Sequence, residues 1–217
     1  MITSNTKKNL MVLDHPIFLE SIRFIRSHLG ANDLNYLEKK VLERLVHTSG
    51  DFSVQNLLNF SEGACEKGFQ ALKNGAPILT DTNMAAAAIK SMAENTTRNK
   101  VFTAKMWYRK NNNTKLTKTA YGLSEGWKEL SAINSGSKSP IVVIGSSPTA
   151  LTYLIDILEN AKVLPSLIIG MPVGFIGVEK SKNKLISTDL PRIVLNSTRG
   201  GAAMAAAAVN AFLRETI

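Results

Sequence analysis

Short apolar runs that alternate with helical stretches place the strongest limit on how this chain can fold. The runs are rich in β-branched residues and cover residues 101–104, 141–144, 167–169 and 193–195. Runs of this length and composition are typical of buried strands. Helical stretches separate most of them, and strands joined through helices pair in parallel. The second half of the chain therefore predicts an α/β fold with a mainly parallel central sheet flanked by helices.

The first half predicts a helical N-terminal region, because its apolar residues recur at helical spacing. Three helices follow from this spacing, at residues 15–29, from a cap at Asp33 to His47, and from Ser61 to a stop at Asn74-Gly75. No repeat and no linker divides the chain. We therefore expect a single domain of residues 1–217, in which residues 1–12 form a flexible N-terminal tail.

Composition excludes several classes of protein. Hydrophobic residues make up 44% of the 217 residues and charged residues 20%, which is ordinary for a globular enzyme. The longest apolar run, residues 202–213, is mostly alanine and contains Asn210, so no membrane span is predicted. The first residues lack a signal-peptide core. A single cysteine, Cys65, rules out an intramolecular disulfide and a Cys-based metal cluster. We expect a cytoplasmic protein with no membrane partner.

The net charge of +9 points to an acidic ligand. The excess is spread over residues 7–8, 98–118 and 180–184, and none of these is a long unbroken basic block. Aromatic residues make up only 6% of the chain, without the basic-aromatic interleaving of RNA-binding proteins. Nucleic acid is therefore disfavoured, and a small molecule that carries many carboxylates suits the charge.

The fold class indicates where such a ligand would bind. Open α/β sheets bind ligands at the carboxyl ends of their strands, in the loops that lead to the next element. Four segments of this chain fall there, at residues 80–84, 145–148, 170–177 and 196–201. They hold an unusual share of the Gly, Pro, Ser and Thr residues, and we expect the site to be built from them.

Two of these segments precede helices and offer anion sites. A helix N-terminus presents unpaired N–H groups, and Arg199 ahead of Gly200-Gly201 adds a side chain suited to carboxylates. Ser146 and Ser147 offer a second helix start. The alternative in both places is an ordinary capped helix. Asp81 in ILTDTNM could orient a ligand or cap the next helix, and its position favours capping.

The loop GMPVGFIG, residues 170–177, follows a predicted strand. Its glycine spacing does not match the dinucleotide fingerprint G-x-G-x-x-G, and no phosphate-loop lysine follows. Its glycines would instead allow a flat ligand to approach the backbone. An apolar wall would come from Met171, Pro172, Val173 and Phe175. The alternative is a tight turn packed into the core.

His47, in RLVHTSGDFS, is the strongest candidate for acid–base chemistry. It falls at the predicted end of a helix, where the helix dipole favours the protonated imidazole, and nearby Asp51 would add to this effect. A histidine so placed can donate a proton near neutral pH. The alternative is a surface or capping histidine. No histidines stand at metal-ligand spacing, so no protein-bound metal is expected.

These features describe a site for a bulky polycarboxylate, and they leave the reaction open. A nucleotide-binding protein is disfavoured by the missing phosphate fingerprints. A non-catalytic carrier of such a ligand stays open as an alternative to an enzyme.

Five segments, read together, resemble the precorrin-8X methylmutase family, the precorrin isomerases. They are VHTSGDF (46–52), GAPILTDTNM (75–84), GSSPTAL (145–151), PSLIIGMPVGFIGVEKSK (165–182) and RGGAAMAAAAVNA (199–211). The resemblance covers nearly the whole chain from His15 onward, and the fourth segment is its most specific part.

The resemblance implies a three-layer α/β fold, a homodimer with the site near the subunit interface, and no cofactor. It implies an isomerase of cobalamin (vitamin B12) biosynthesis, a branch of porphyrin metabolism. The enzyme would move a methyl group from C-11 to C-12 of precorrin-8X or cobalt-precorrin-8, giving hydrogenobyrinate or cobyrinate. The catalytic histidine of the family matches His47, which would act as an acid on the tetrapyrrole. A corrin-binding carrier without catalysis is the alternative.

The substrate-binding residues expected on this basis are Thr48, Ser49, Asp81, Met84, Lys118, Thr119, Ser146, Ser147, Met171, Pro172, Val173, Gly174, Phe175, Arg199, Gly200 and Gly201. One segment departs from the family pattern. Where that pattern reads T-R-S-A-A-G, this chain has Lys118 in place of the arginine and Tyr121 in place of the second alanine. Lysine keeps the charge but lacks the bidentate fork of arginine, and tyrosine adds bulk.

Overall fold

A computed structural model describes residues 15–108 and 115–217, and the predicted N-terminal tail of residues 1–12 lies outside these ranges. The described helices are α1 (Pro16–His28), α2 (Tyr36–Ser49), α3 (Ala64–Lys73), α4 (Asn83–Asn95), α5 (Lys118–Ile133), α6 (Pro148–Leu158), α7 (Val178–Ile186) and α8 (Ala202–Arg214). The strands are β1 (Leu58–Phe60), β2 (Ile78–Thr80), β3 (Val101–Thr103), β4 (Ile141–Ile144), β5 (Leu167–Gly170) and β6 (Arg192–Leu195). Short 3₁₀ helices cover Phe52–Asn56, Ala104–Trp107 and Gly136–Lys138.

The six strands form one sheet in the order β1-β6-β5-β4-β2-β3. Strands β2 to β6 pair in parallel, and β1 pairs with β6 in the antiparallel direction. The central strands β4 and β5 are buried along their whole length. The mainly parallel sheet that the alternating pattern predicts is thus confirmed.

Alternate residues of the central strands enter two separate cores, as the side-chain period of a strand requires. Ile141 and Val143 pack with α1, α2, α3, α4 and α8 on one face of the sheet. Val142 and Ile144 pack with α5, α6 and α7 on the other face. Helices therefore cover both faces, and the three-layer α/β architecture is confirmed.

Two N-terminal helices begin later than the sequence pattern predicts. Asn35, not Asp33, caps α2 through a capping box, in which its side chain accepts from the Glu38 N–H and the Glu38 carboxylate accepts from the Asn35 N–H. Helix α3 begins after Gly63 instead of at Ser61. The end of α2 agrees with the prediction, because His47 lies in the last turn and Gly50 closes the helix in the left-handed conformation.

Helix α8 is the alanine-rich segment, and it is almost entirely buried. It contacts both α2 and α4 above the sheet. Small side chains permit this close approach, and Asn210 donates from Nδ2 to the carbonyl of Ala88 at 2.9 Å. The alanine face therefore serves packing within the fold. Within the described ranges, no helix is both long and apolar enough to cross a membrane.

Candidate active site

The loops after β5 and β6 are joined backbone to backbone. Gly201 donates its N–H to the Met171 carbonyl at 2.9 Å, and Gly174 donates to the Thr198 carbonyl at 3.0 Å. Gly200 has φ 154°, and a Cβ there would overlap the Met171 carbonyl oxygen and lie 2.9 Å from the Pro172 oxygen. Only glycine fits this approach. Two of the four predicted site segments therefore form one continuous surface.

The loop after β4 packs against the same surface. A Cβ added at Gly145 would lie 2.7 Å from the Cα atom of Ala202, the first residue of α8. Ser147 caps α6, with its Oγ accepting from the Ala150 N–H at 3.2 Å, and Pro148 occupies the first turn. The start of α6 and the start of α8 are thus neighbours at the carboxyl edge of the sheet.

Asp81 holds the start of α6 in place. Its Oδ2 accepts from the backbone N–H groups of Ser146 at 2.6 Å and Ser147 at 3.0 Å. The anion at this helix start is therefore an internal carboxylate, and these two N–H groups are already occupied. Capping of α4 falls to Thr82, so the capping role favoured for Asp81 is wrong. Burial raises the pKa of Asp81 although the backbone N–H groups oppose that shift.

Hydroxyl groups connect the start of α5 to the same region. Thr117 caps α5 and its Oγ1 lies 3.0 Å from Oγ1 of Thr149 in α6. Thr119 Oγ1 lies 3.0 Å from the Tyr108 hydroxyl. Lys118, between these two threonines, is exposed at the first position of α5. The predicted residues Lys118 and Thr119 therefore stand beside the Ser147 helix start.

The predicted apolar wall divides into two layers. Met171 and Pro172 are buried and support the loop, whereas Val173 and Phe175 face outward, and Phe175 is 89% exposed. Ile176, which the sequence reasoning did not select, is 90% exposed. Met84 adds another exposed apolar side chain in the first turn of α4. These side chains offer apolar contacts at the loop surface.

His47 lies at the C-terminal end of α2, beside a cavity of about 490 Å³ that Ile17, Phe24 and Phe52 help to line. The imidazole meets the ring of Phe18 edge-on, with 5.0 Å between ring centroids. The neighbouring hydroxyls bond back to their own helix, from Thr48 to the Arg44 carbonyl and from Ser49 to the Leu45 carbonyl.

The charge environment of His47 differs from the sequence prediction. Burial and the positive charge of Arg44 lower the pKa of His47, although the helix dipole was expected to favour protonation. Asp51 does not pair with His47. Its carboxylate pairs instead with the Arg199 guanidinium, which also donates to Ser53 Oγ at 2.8 Å. Arg199 is therefore held by Asp51 and ties the loop after β6 to the end of α2.

Two guanidinium groups stack on the same Phe18 ring. The Cζ atom of Arg214 lies 4.5 Å and that of Arg44 lies 5.1 Å from its centroid. Burial lowers the pKa of both arginines. They line a second cavity of about 350 Å³ together with Arg23, Arg26 and Lys40. Glu43 and Glu215 line the same cavity and pair with Arg26 and Lys40, so the basic side chains near His47 are only partly balanced by acidic ones.

Lys182 was missed as a site residue. It is 0% exposed in α7, and its Nζ donates to the carbonyls of Ser197 and Arg199, at 2.6 Å each. The signal was present in the sequence, because Lys182 falls on the same helical stripe as the buried Val178 and Leu185. Within the described ranges, no group of three or more His, Cys, Asp and Glu side chains is arranged to hold a metal ion.

Comparison with known proteins identifies the family of this chain. The family model for precorrin-8X methylmutase matches residues 16–215. A cobalt-precorrin-8 methylmutase from Synechocystis sp. is 31% identical, over 94% of this chain and 97% of that protein. A precorrin-8X methylmutase from Pseudomonas aeruginosa is 35% identical, over 92% and 94% of the two chains.

A solved structure has the same architecture. The precorrin-8X methylmutase from Thermus thermophilus superposes with a TM-score of 0.80 at 28% identity, over 92% of this chain and 95% of the other. The matches extend over almost the full length of each protein, and the relatives are named methylmutases. The chain is therefore an enzyme of the isomerase class, and it belongs to the precorrin-8X methylmutase family.

Proposed function

We propose that this enzyme acts in cobalamin biosynthesis by moving a methyl group from C-11 to C-12 of precorrin-8X or cobalt-precorrin-8. The products would be hydrogenobyrinate and cobyrinate. The proposal depends on the position of His47, at the C-terminal end of α2, beside one cavity and next to a second cavity lined by four arginines. Family membership supplies the reaction class.

In the proposed mechanism, His47 is the catalytic acid. Its imidazolium would protonate the conjugated ring system, making it electron-poor and easing migration of the methyl group across one face. The proton then returns to His47, so substrate and product are isomers. The lowered pKa of His47 makes its protonated form a stronger donor.

The remaining residues would hold the substrate. Its acetate and propionate arms suit the basic side chains around Phe18, together with Lys118 and Arg199. Val173, Phe175 and Met84 would pack on the flat ring and keep water away from it. No cofactor enters this reaction.

We propose further that the enzyme is a cytoplasmic homodimer with the site near the interface. The cavity beside His47 is open to solvent, and a second copy would help to enclose a substrate bound there. The exposed side chains of Phe175 and Ile176 are apolar groups that such an interface would cover.

The test is to mix the protein with precorrin-8X and follow the visible absorption spectrum. Wild type should give the spectrum of hydrogenobyrinate, and His47→Ala should bind the substrate but lose nearly all turnover. His28→Ala is the matched control, because His28 ends α1, contacts Phe24 and Phe52 of the same cavity wall, and has no assigned role.

The outcomes separate the enzyme from the carrier. Binding without product, for both precorrin-8X and its cobalt form, would favour a non-catalytic corrin carrier. Full turnover by His47→Ala would remove His47 as the acid.

A further inference from the structure

We propose that Lys182 is a positioning residue that builds a carboxylate subsite from two backbone amides, the N–H groups of Thr198 and Gly200. We call these two groups the amide pair. The inference rests on the proposed function, because it states how the same site would grip one acidic arm of its substrate.

Lys182 contacts two carbonyl groups of the loop after β6. Its ammonium group is buried beneath the loop after β6 and donates at 2.6 Å to the carbonyls of Ser197 and Arg199. Both are charge-assisted hydrogen bonds, which are stronger than neutral ones. Two alternate peptide units of the loop therefore have their carbonyl oxygens fixed toward α7.

Peptide planarity sets where the opposite ends of these units point. In a trans peptide the N–H is directed opposite to the C=O, and the described chain contains no cis peptide. The Ser197 carbonyl belongs to the same unit as the Thr198 N–H, and the Arg199 carbonyl to the same unit as the Gly200 N–H. Both N–H groups are therefore directed away from Lys182.

Several other backbone groups of this loop are already engaged. The Thr198 carbonyl accepts from Gly174, the Gly201 N–H donates to Met171, and the Arg199 N–H donates to Ser197 Oγ at 3.1 Å. Within residues 15–108 and 115–217, the amide pair has no hydrogen-bond partner. Thr198 and Gly200 are both partly exposed.

The position and the charge of the amide pair favour binding of a carboxylate there. Arg199 lies between the two amides and reaches Asp51, four residues beyond His47, so the pair lies in the region of the proposed acid. In the described structure, Lys182 Nζ contacts carbonyl oxygens and no carboxylate. A buried cation without a counter-ion is costly. A substrate carboxylate on the far side of the loop would offset part of this cost.

Burial lowers the pKa of Lys182 to about 8, whereas Glu179 on the same helix opposes the shift. The side chain is thus still mostly protonated at neutral pH. The positive charge that the subsite requires is available under the conditions of the assay.

The experiment compares wild type with Lys182→Met, which keeps an unbranched side chain, one atom shorter, and removes its charge. Affinity is measured by absorption titration with hydrogenobyrinate and with the same compound after conversion of its carboxyl groups to amides. Lys182→Met should bind hydrogenobyrinate about tenfold more weakly than wild type does. Its affinity for the amidated compound should stay within about twofold of wild type. In turnover, KM should rise by a similar factor with kcat nearly unchanged.

Ser181→Ala is the matched control, because Ser181 is a buried neighbour whose hydroxyl bonds only to the Val178 carbonyl of its own helix. A loss of affinity in Lys182→Met that is equal for acid and amide would overturn the proposal and leave a purely structural lysine. Unchanged binding of both would overturn it as well. With either of these outcomes, the proposed function still stands if wild type turns over precorrin-8X. If wild type neither binds nor turns over precorrin-8X, both proposals are wrong.

A second measurement does not depend on the variant folding. The amide proton resonances of Thr198 and Gly200 in wild type should move downfield when hydrogenobyrinate is added, and should move much less with the amidated compound. If these two resonances do not shift when hydrogenobyrinate is added, the amide pair is not a carboxylate subsite.

Discussion

Arg44 and His47 stand one helical turn apart in α2, so the charge of one acts directly on the other. Burial and Arg44 lower the pKa of His47, and its protonated form is therefore lost as pH rises through a value below the ordinary one of about 6.5. If His47 is the acid, kcat should fall over that range. Arg44→Met should raise the pKa of His47 and move this fall in kcat to higher pH.

The measurement is the pH dependence of kcat at saturating substrate. Lys90→Met is the control, because Lys90 is exposed on α4 and pairs with Glu94 instead. A profile that stays in place in Arg44→Met would contradict the electrostatic link between the two residues.

The hydrogen bonds of Asp81 predict how its substitution changes the free energy of unfolding. Asp81→Ala would leave the Ser146 and Ser147 N–H groups without their acceptor, so the free energy of unfolding should fall by about 2–3 kcal/mol. Asp81→Asn keeps one acceptor oxygen and should lose about 1 kcal/mol. Urea denaturation measures both. Asp156→Ala, which removes a surface ion pair with Lys184, should stay within about 0.5 kcal/mol of wild type.

At the scale of elements, the loops after β5 and β6 behave as one unit because Gly200 permits their contact. Gly200→Ala would place a Cβ against the Met171 carbonyl at a φ that disfavours side chains. We expect a loss of at least about 2 kcal/mol in the free energy of unfolding. Gly30→Ala is the control, since a Cβ there meets nothing within 4 Å. Equal stability of the two variants would show that the loops tolerate separation.

The elements that sequence reasoning located best are those with a strong local signal. The run at residues 141–144 matches β4 at both ends, because four buried apolar residues between polar turns admit little else. Strands β1 and β2 were missed, since each is a three-residue run inside the half of the chain whose apolar spacing predicts helices. Site segments could be located from the carboxyl-edge rule, which needs only the order of strands and helices.

Electrostatic detail was harder to predict than position. His47 lies at the end of α2, as the pattern indicated. Its pKa is lowered and not raised, because burial and Arg44 disfavour the protonated form. Asp51 was assigned to His47 and binds Arg199 instead. Such choices between partners depend on loop conformations that no local pattern specifies.

At the scale of the whole molecule, the exposed loop after β5 makes the quaternary state testable. We expect wild type to sediment as a dimer and Ile176→Glu to shift it toward the monomer, because a charge at an apolar interface loses its hydration. Ile133→Glu is the matched control, at an exposed position (78%) at the far end of α5. Sedimentation equilibrium measures both. A monomeric wild type, or a variant that dimerises as well as wild type, would exclude this loop from the interface.

The two edge strands of the sheet affect how readily the protein aggregates at high concentration. They are β1 and β3, and each is only three residues long. Strand β3 passes at once into the 3₁₀ helix Ala104–Trp107, which turns the backbone away from further pairing. Short edge strands give a neighbouring molecule little backbone to extend, which discourages fibre-like aggregation. We therefore expect association between copies to run through side chains, where a single substitution can control it.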